Sequence, residues 1–415
     1  MSLAALSVLA LALAVAVSCF TRLNVGLLAV ALAWIVGVYI GGMPVNGVMG
    51  GFPSQLFLTL TGVTLLFTMA QVNGSLDRLA HHAVKSCRGN RGAVPIMFFI
   101  LAAALASMGP GNIATAALVA PMAMTTAASA GIPLFLMAIM VGNGANAGSL
   151  SPFAPTGIIV NGLMARNDLG GLETQTYLYN LGAHAFVAFG GYFLFGGWKL
   201  FSTSGQAVAQ TGTASATDGA FERQHVATLG LIGLLILSVI FFEVNVGMGA
   251  FGAAVLLVLT GCADDREAIK RMPWNVIIMV CGVTVLIAVL EKAQGIDLLV
   301  SLVARFATKE TVAPLVAFLT GIISVYSSTS GVVLPAFLPM VPGLAAELGG
   351  ASPFGIAASM NVGGHLVDVS PLSTIGALCI ASAPTDDSRN LFNKLLAWGL
   401  SMAVVGAGVC YLLFG

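Results

Sequence analysis

The apolar window 132–165 contains the polar stretch Gly142-Asn143-Gly144-Ala145-Asn146-Ala147-Gly148, and a second window, 352–383, contains Asn361-Val362-Gly363-Gly364-His365-Leu366-Val367-Asp368. Each window can cross a hydrocarbon layer about 30 Å thick at about 1.5 Å per helical residue. Irregular backbone at membrane depth persists only where protein encloses it, because lipid offers no hydrogen-bond partners. We therefore predict that both windows are membrane-spanning helices with a central break, and that the breaks line an enclosed site.

The composition indicates a membrane protein throughout. Of the 415 residues, 58% are apolar and 8% charged, against about 25% charged residues in soluble domains. The formal net charge is zero, and no basic block is present, which excludes nucleic acid as a partner. Apolar windows predict ten crossings of a lipid bilayer, at 3–20, 24–41, 54–72, 132–165, 177–198, 226–243, 246–262, 275–290, 352–383 and 393–414. We interpret the first window as a span and not as a cleaved signal peptide, because it lacks a basic leading segment.

Two further apolar stretches, 93–130 and 312–346, carry a polar interruption at their centres. The interruptions are Gly109-Pro110-Gly111-Asn112-Ile113-Ala114-Thr115 and Ser327-Ser328-Thr329-Ser330-Gly331. Glycine permits sharp turns, and Asn, Ser and Thr supply neutral hydrogen-bonding atoms. We predict two re-entrant helical hairpins whose tips stop inside the membrane.

The two halves of the chain repeat. Gly62-Val63-Thr64 matches Gly282-Val283-Thr284, Pro121-Met122 matches Pro339-Met340, and Ser151-Pro152 matches Ser370-Pro371, all at offsets of 218 to 220. A Ser, Thr, Gly, Ala and Gln-rich linker, 202–225, separates a first repeat, 1–201, from a second, 226–415. Five crossings and one hairpin per half make the second half enter the membrane from the opposite face. This all-α architecture is an inverted-topology repeat, the usual construction of secondary transporters.

The distribution of basic residues predicts the orientation. Twelve of the 16 Lys and Arg residues fall on one side of the predicted topology, and cytoplasmic loops carry the excess of such residues. We therefore expect both termini outside, in the inner (plasma) membrane. The first hairpin then opens from the cytoplasm and the second opens from outside.

Each tip is predicted to pair with the break of its own half and to form one of two related binding sites. Broken helix ends release carbonyl groups that suit a small hard cation such as Na⁺, and half-helix N-termini can face an anion. Ser151 and Ser370 are expected to cap the restarting half-helices. The predicted cation ligands are Gly109, Asn112, Asn143, Asn146, Ser327, Thr329, Asn361, Gly364 and Asp368. The predicted substrate-binding residues are Asn112, Thr115, Asn146, Ser151, Thr156, Ser328, Thr329, Ser330, Ser370 and Pro371.

For three titratable residues, Asp368, His365 and His184, the sequence allows functional and structural roles to be considered. Asp368 is the only carboxylate inside the four motifs, and an intramembrane acid is a functional hypothesis by default. It binds Na⁺, carries a coupling proton, or holds the broken backbone by a hydrogen bond. His365 titrates near neutral pH or makes a structural hydrogen bond. His184, on an apolar span, is interpreted as a packing residue.

Motifs for other functions are missing. The sequence has no GxxxxGK[ST], which excludes ATP-driven transport. It also has no GxSxG or HExxH motif within a span, so we predict a transporter and not an enzyme. An intramembrane enzyme is the alternative from another class.

Three segments resemble a known family. They are Gly51-Phe52-Pro53-Ser54-Gln55-Leu56-Phe57, GPGNIAT at 109–115, and the break with SPFAPTG at 142–157. They resemble the bacterial dicarboxylate carriers of the MatC type, and the tip-and-break plan is similar to the divalent-anion:sodium symporters of the ion transporter superfamily. The resemblance implies a homodimer with a scaffold domain and an elevator-like transport domain. Those symporters carry Ser-Asn-Thr at both tips, whereas the second tip here has no Asn.

Together these features predict a secondary active transporter of a small C3 or C4 dicarboxylate such as malonate, malate or succinate, coupled to Na⁺ by alternating access. The four motifs contain no Lys or Arg, and a dianion entering a dry neutral site is strongly penalised. We therefore expect the cation to bind first. The alternatives are proton coupling and a monocarboxylate or other organic anion as the substrate.

Overall fold

The computed structural model describes residues 2–21, 23–86, 90–201, 221–383 and 388–415. Most of the predicted linker, 202–220, lies outside these residues. Within them the chain forms helices and no strand.

The described residues of the first half contain ten helices. α2 continues as a π-helical turn, Ile35–Ile40, and a 3₁₀ turn, Gly197–Phe201, follows α10. The helices are α1 (Leu3–Phe20), α2 (Val25–Trp34), α3 (Val45–Met49), α4 (Ser54–Val72), α5 (Ser75–Ser86), α6 (Ala93–Met108), α7 (Gly111–Ala130), α8 (Leu134–Gly148), α9 (Pro155–Arg166) and α10 (Glu173–Leu194).

The described residues of the second half contain eleven helices. They are α11 (Arg223–Phe242), α12 (Val246–Leu259), α13 (Asp265–Arg271), α14 (Trp274–Lys292), α15 (Gly295–Ala304), α16 (Val312–Ser324), α17 (Leu334–Phe337), α18 (Val341–Glu347), α19 (Pro353–Leu366), α20 (Thr374–Ala381) and α21 (Ser388–Phe414). Three short turns interrupt them: a π-helical turn at Thr329–Val333 and 3₁₀ turns at Leu338–Met340 and Val367–Val369.

Equivalent helices of the two halves begin with the same kind of residue. Asn24 caps α2 by accepting a hydrogen bond from Gly26 N at 2.9 Å, and Asn245 caps α12 by accepting one from Met248 N at 3.1 Å. Capping asparagines satisfy amides that have no partner within the helix. The two halves therefore use the same local signal at matching positions.

Glycines at matching positions let helices of opposite halves cross closely. α4 packs on α12 and α14 packs on α2. A Cβ on Gly62 would collide with the carbonyl oxygen of Gly247, and one on Gly282 would collide with that of Gly26. Small residues allow such close approach between helices in membranes. The halves are thus held together by two equivalent glycine crossings.

Eight helical segments among the described residues are long and apolar enough to cross a bilayer. Two of them, Gly111–Ala130 and Thr329–Glu347, are the second limbs of the predicted hairpins. The membrane class and the all-helical fold are confirmed, while the count of ten crossings stays a prediction. α1, which coincides with the first predicted window, packs on α2, α14 and α15.

Both apolar stretches turn at their predicted tips, and their re-entry into the membrane stays a prediction. Their second limbs differ. In the first, α6 and α7 pack together around a turn at Gly109 and Pro110. In the second, the limb after Ser328 alternates between π, α and 3₁₀ turns. The sequence supplies a reason, because Pro335, Pro339 and Pro342 remove three backbone donors from that limb.

The helix breaks lie later than the sequence predicted. The stretch Gly142–Gly148 is helical and forms the last turns of α8, so the first irregular segment is 149–154. In the second half α19 extends to Leu366, a 3₁₀ turn follows, and 370–373 is irregular. Asparagines and glycines were expected to interrupt the helix, but side-chain hydrogen bonds described below support the helical backbone there.

Candidate functional site

The first tip is tied to the first broken helix by a pair of asparagines. Gly109 has φ +139° and lies so close to the Phe67 ring that no Cβ fits, and α7 begins two residues later. Asn112, in the first turn of α7, donates from Nδ2 to Asn146 Oδ1 at 2.8 Å. The Asn112 oxygen accepts from Ile113 N at 3.0 Å, which sets the orientation of this amide.

The orientation of Asn112 leaves the Asn146 amide with an unused donor. Asn146 Oδ1 is occupied by Asn112, so Asn146 Nδ2 faces elsewhere. That nitrogen is buried and has no hydrogen-bond partner. Thr115, one turn further along α7, is 1% exposed, and its hydroxyl is also buried without a partner. Thr115 and Asn146 were both predicted to bind substrate. Each therefore presents an unpartnered hydrogen-bond donor, and each lies near the helix that carries the other.

The residues following the first break are arranged differently from the prediction. Ser151 donates to the carbonyl of Ser107 at 2.7 Å and accepts from Phe153 N at 3.3 Å. It therefore ties the break to α6 and does not cap α9, which begins at Pro155 with Ala154 as an N-cap lacking a side-chain hydrogen bond. Thr156 lies buried in the first turn of α9.

The second tip contacts its break through Thr329. The Thr329 hydroxyl lies 2.9 Å from Asp368 Oδ1 and 3.2 Å from the carbonyl oxygen of Gly364, and both are acceptors. Ser328 caps the following turn by accepting from Gly331 N at 3.1 Å. The structure thus brings Thr329, Gly364 and Asp368 together, as the sequence predicted for this half.

Other predicted residues of the second half are scattered around that contact. Ser327 bonds to Ser18 of α1 at 2.7 Å between the hydroxyl oxygens and points away from the break. Ser330 is half-buried, and Pro371 is buried. Ser370 is fully buried and accepts from Leu372 N at 3.3 Å. The cap of α20 is Ser373, not Ser370, and it accepts from Gly376 N at 3.3 Å.

Both breaks are closed by a glycine at the same offset. Gly157 and Gly376 each lie so close to the carbonyl oxygen of the preceding Ser151 or Ser370 that no Cβ fits. This close approach lets the chain fold back on itself before the half-helix restarts. The equivalent glycines explain why the two breaks share one backbone arrangement.

The second break also holds unpartnered polar atoms. Asn361 donates from Nδ2 to the sulfur of Met164 at 3.8 Å, and its Oδ1 is buried without a partner. His365 donates from Nδ1 to the carbonyl of Asn361 at 2.8 Å, which leaves its Nε2 without a partner. The hydroxyls of Ser324 and Ser359 are likewise buried and unpartnered.

The two half-sites meet in the interior. A Cβ on Gly142 would lie 2.8 Å from Val369 Cγ1, so the middle of α8 packs on the 3₁₀ turn at the second break. Met164 of α9 accepts from both Asn361 and Thr176, which joins α19 to α10. The sites are therefore neighbours at one level of the molecule.

An unpartnered buried polar atom costs about 1–3 kcal/mol. Eight such atoms lie on the tips, on the broken helices and on elements packed against them, and they belong to Thr115, Asn146, Asn180, His184, Ser324, Ser359, Asn361 and His365. Buried polar groups are normally paired with protein or ordered water. Their clustering here indicates a place built to receive polar ligands.

Sequence reasoning missed Asn180 and assigned His184 to packing. Both lie on α10 and are fully buried. His184 Nδ1 lies 2.9 Å from Asn143 Oδ1, and Asn143 donates to the carbonyl of Ile139 at 2.8 Å. Two polar residues one turn apart on an apolar span were the available signal.

Two cavities flank the hairpins. One of about 90 Å³ is lined by α9, α14 and the second limb of the second hairpin, and it includes Arg166 and Glu291. The other, of about 10 Å³, lies beside the first tip and includes Gln71 and Thr115. Gln71 and Glu291, like Leu76 and Ile296, correspond at an offset of 220. The cavities thus share two equivalent lining positions and differ in size.

Comparison with known families bears on this arrangement. Residues 1–149 match the family model described as dicarboxylate carrier protein MatC N-terminus. The matched segment includes the first tip and all of α8, and it ends at the first break. No curated protein matches the chain significantly. The N-terminal 149 residues are therefore similar to the MatC-type dicarboxylate carriers, a family of transporters, and the resemblance predicted from the sequence is confirmed for that part of the chain.

Proposed function

We propose that the protein is a secondary active transporter that moves a small dicarboxylate across the inner membrane, coupled to Na⁺, by alternating access. The observation that carries the proposal is the juxtaposition of two buried tip-and-break sites with unpartnered polar atoms. The MatC-type match over residues 1–149 supports the substrate class.

The unpartnered atoms suit both ligands of such a transporter. Donor groups on Thr115, Asn146, Ser324 and Ser359 are suited to the oxygens of a carboxylate. Asn361 Oδ1 is a free acceptor, and Thr329 lies against the Asp368 carboxylate. A hard cation prefers such oxygens. Since no Lys or Arg lies in the four motifs, bound Na⁺ supplies the positive charge that the dianion needs, and Na⁺ binds first.

Alternating access is supported by the unequal cavities. In the proposed topology the cavity containing Glu291 faces outside and the one containing Gln71 faces the cytoplasm. The outer cavity holds about 90 Å³ and the inner about 10 Å³. We propose that the described conformation is the outward-facing one, and that an elevator-like movement exchanges the two volumes. Two copies in a homodimer would supply the fixed scaffold for that movement.

Uptake by reconstituted protein tests this function. We expect proteoliposomes to accumulate radiolabelled malonate, malate or succinate when an inward Na⁺ gradient is imposed, and a Na⁺ ionophore to abolish accumulation. An equal K⁺ gradient is the control. Accumulation driven by a pH gradient and indifferent to Na⁺ would show proton coupling, and the absence of dicarboxylate uptake under either gradient would remove the function.

The inverted repeat makes a prediction about the hairpin ends. Ser129, at the end of α7, and Glu347, at the end of α18, are exposed at equivalent positions. We expect Ser129→Cys to react with a membrane-impermeant thiol reagent only from the cytoplasmic side, because the first hairpin opens there. Glu347→Cys should react only from outside.

The labelling is measured on right-side-out and inside-out vesicles. The unsubstituted protein is the control for the native cysteines, of which Cys19 is partly exposed and Cys262, Cys281, Cys379 and Cys410 are buried. Labelling of both new cysteines from one side would contradict the inverted topology.

A further inference from the structure

α10 supplies a polar residue to the first site that none of the four motifs contains. Asn180 is 0% exposed in a helix whose surroundings are largely apolar. Its Nδ2 donates to the carbonyl of Asn146 at 2.8 Å and approaches that of Ala147 at 3.4 Å. These are carbonyls at the C-terminal end of α8, and that of Asn146 also accepts from the N–H of Ser149 at 3.1 Å and from its hydroxyl at 2.7 Å.

The two carbonyl contacts determine the orientation of the Asn180 amide. Only its nitrogen can donate to a carbonyl, so Oδ1 must face away from Asn146. That oxygen is buried and has no hydrogen-bond partner. A free amide oxygen therefore lies on the Asn180 side chain whose nitrogen bonds the end of α8.

Asn146 presents the complementary atom. Its Nδ2 is an unpartnered donor, whereas Asn180 Oδ1 is an unpartnered acceptor, and the two atoms do not bond to each other. A donor suits the carboxylate of a substrate, and a neutral oxygen suits a hard cation. The two amides, joined through the Asn146 carbonyl, can thus hold an anion and a cation next to each other.

The second half lacks this residue. At the offset of 219 that relates Ser151 to Ser370, Asn180 corresponds to Gly399. A Cβ on Gly399 would lie 2.6 Å from Ser370 Cβ, so α21 packs directly on the second break with no room for an amide. The second half has Asp368 instead, and the first half has Ser149 at that position. Asn180 thus has no side-chain counterpart in the second half, and the Asp368 carboxylate has only the Ser149 hydroxyl as its counterpart in the first.

We propose that Asn180 Oδ1 is a ligand of a small monovalent cation in the first site, in the role that Asp368 serves in the second. The inference rests on the proposed Na⁺-coupled function and identifies the residue that makes the first cation site complete. Asn180 also donates a hydrogen bond to the carbonyl of Asn146, whose side-chain amide is the group that faces the substrate. Cation binding at Asn180 is therefore linked to the substrate contact of Asn146.

Two substitutions with opposite expected effects test the assignment. Asn180→Ala removes the oxygen, so the Na⁺ concentration for half-maximal uptake should rise about 10-fold or more, with less change in the apparent substrate affinity at saturating Na⁺. Asn180→Asp keeps the oxygen and adds a negative charge that Na⁺ neutralises. That variant should require no more Na⁺ than the wild type.

Thermal unfolding in detergent measures Na⁺ binding independently of transport. In detergent and without dicarboxylate, Na⁺ should raise the melting temperature of the wild type and raise that of Asn180→Asp by more. Asn180→Ala keeps the second site with Asp368, so Na⁺ should still raise its melting temperature, but by less than that of the wild type. Thr64→Val is the matched control, because Thr64 is buried in α4 and its hydroxyl bonds only the carbonyls of Leu60 and Thr61 in the same helix. It should respond to Na⁺ as the wild type does.

The outcomes distinguish a failure of the Asn180 assignment from a failure of the proposed Na⁺-coupled transport. If both Asn180 variants weaken the Na⁺ response equally, Asn180 only supports the Asn146 carbonyl and the inference is wrong. The same holds if both variants respond as the wild type does. A wild type that shows no Na⁺ response in uptake or melting overturns the inference and the proposed Na⁺ coupling together.

Discussion

Asn112→Ala should reduce dicarboxylate uptake to the background of empty liposomes, a loss of about 10- to 100-fold or more in initial rate. The substitution removes the donor that holds Asn146 Oδ1 at 2.8 Å and the acceptor for Ile113 N. The Asn146 amide is then free to rotate, and its unpartnered Nδ2 no longer presents a fixed donor to the substrate. The initial rate of radiolabelled uptake into proteoliposomes measures the effect.

Thr125→Ala is the matched control for Asn112→Ala. Thr125 lies on the same helix, is exposed, and bonds only the carbonyl of Pro121 at 2.7 Å. Its loss should leave uptake within about twofold of the wild type, since exposed substitutions usually change little. Both variants should elute from gel filtration as the wild type does. Normal uptake by a well-folded Asn112→Ala variant would remove the first tip from the site.

Asp368→Asn should raise the Na⁺ concentration for half-maximal uptake about 10-fold or more. The amide has nearly the same shape and still accepts from the Thr329 hydroxyl, which lies 2.9 Å from Asp368 Oδ1. The substitution therefore removes the charge and preserves the contact between tip and break. A site that loses a full negative charge binds Na⁺ less tightly. The effect on substrate affinity at saturating Na⁺ should be milder.

The same variant distinguishes the three roles considered for Asp368. A proton carrier would lose accumulation driven by a pH gradient and still exchange substrate down its gradient, because exchange requires no net proton movement. A residue that only braces the backbone would tolerate the amide with no change in Na⁺ dependence. Asp265→Asn, on the exposed helix α13, is the control for a general effect of lost charge.

Local sequence was sufficient for the class of protein and for the positions of the hairpins. The windows are apolar because a membrane span needs about 20 apolar residues. Such a run is visible in the sequence itself, without knowledge of how the helices pack. The pairing of Asn112 with Asn146, and of Thr329 with Asp368, also followed from local features. Polar atoms at membrane depth must find partners, and each half offers few of them.

The ends of the broken helices and the contribution of α10 depended on contacts between distant segments. Glycines and asparagines in 142–148 predict a break, yet α8 continues to Gly148. There the carbonyl of Asn146 accepts from Ser149 and also from Asn180 Nδ2. Ser327 faces α1 because Ser18 lies 2.7 Å from it, 309 residues away in the chain. Neither contact has a periodicity or spacing that a single sequence displays. The groups that satisfy its last carbonyls stabilise a helix end, and here one of them, Asn180, belongs to a helix that only folding brings near.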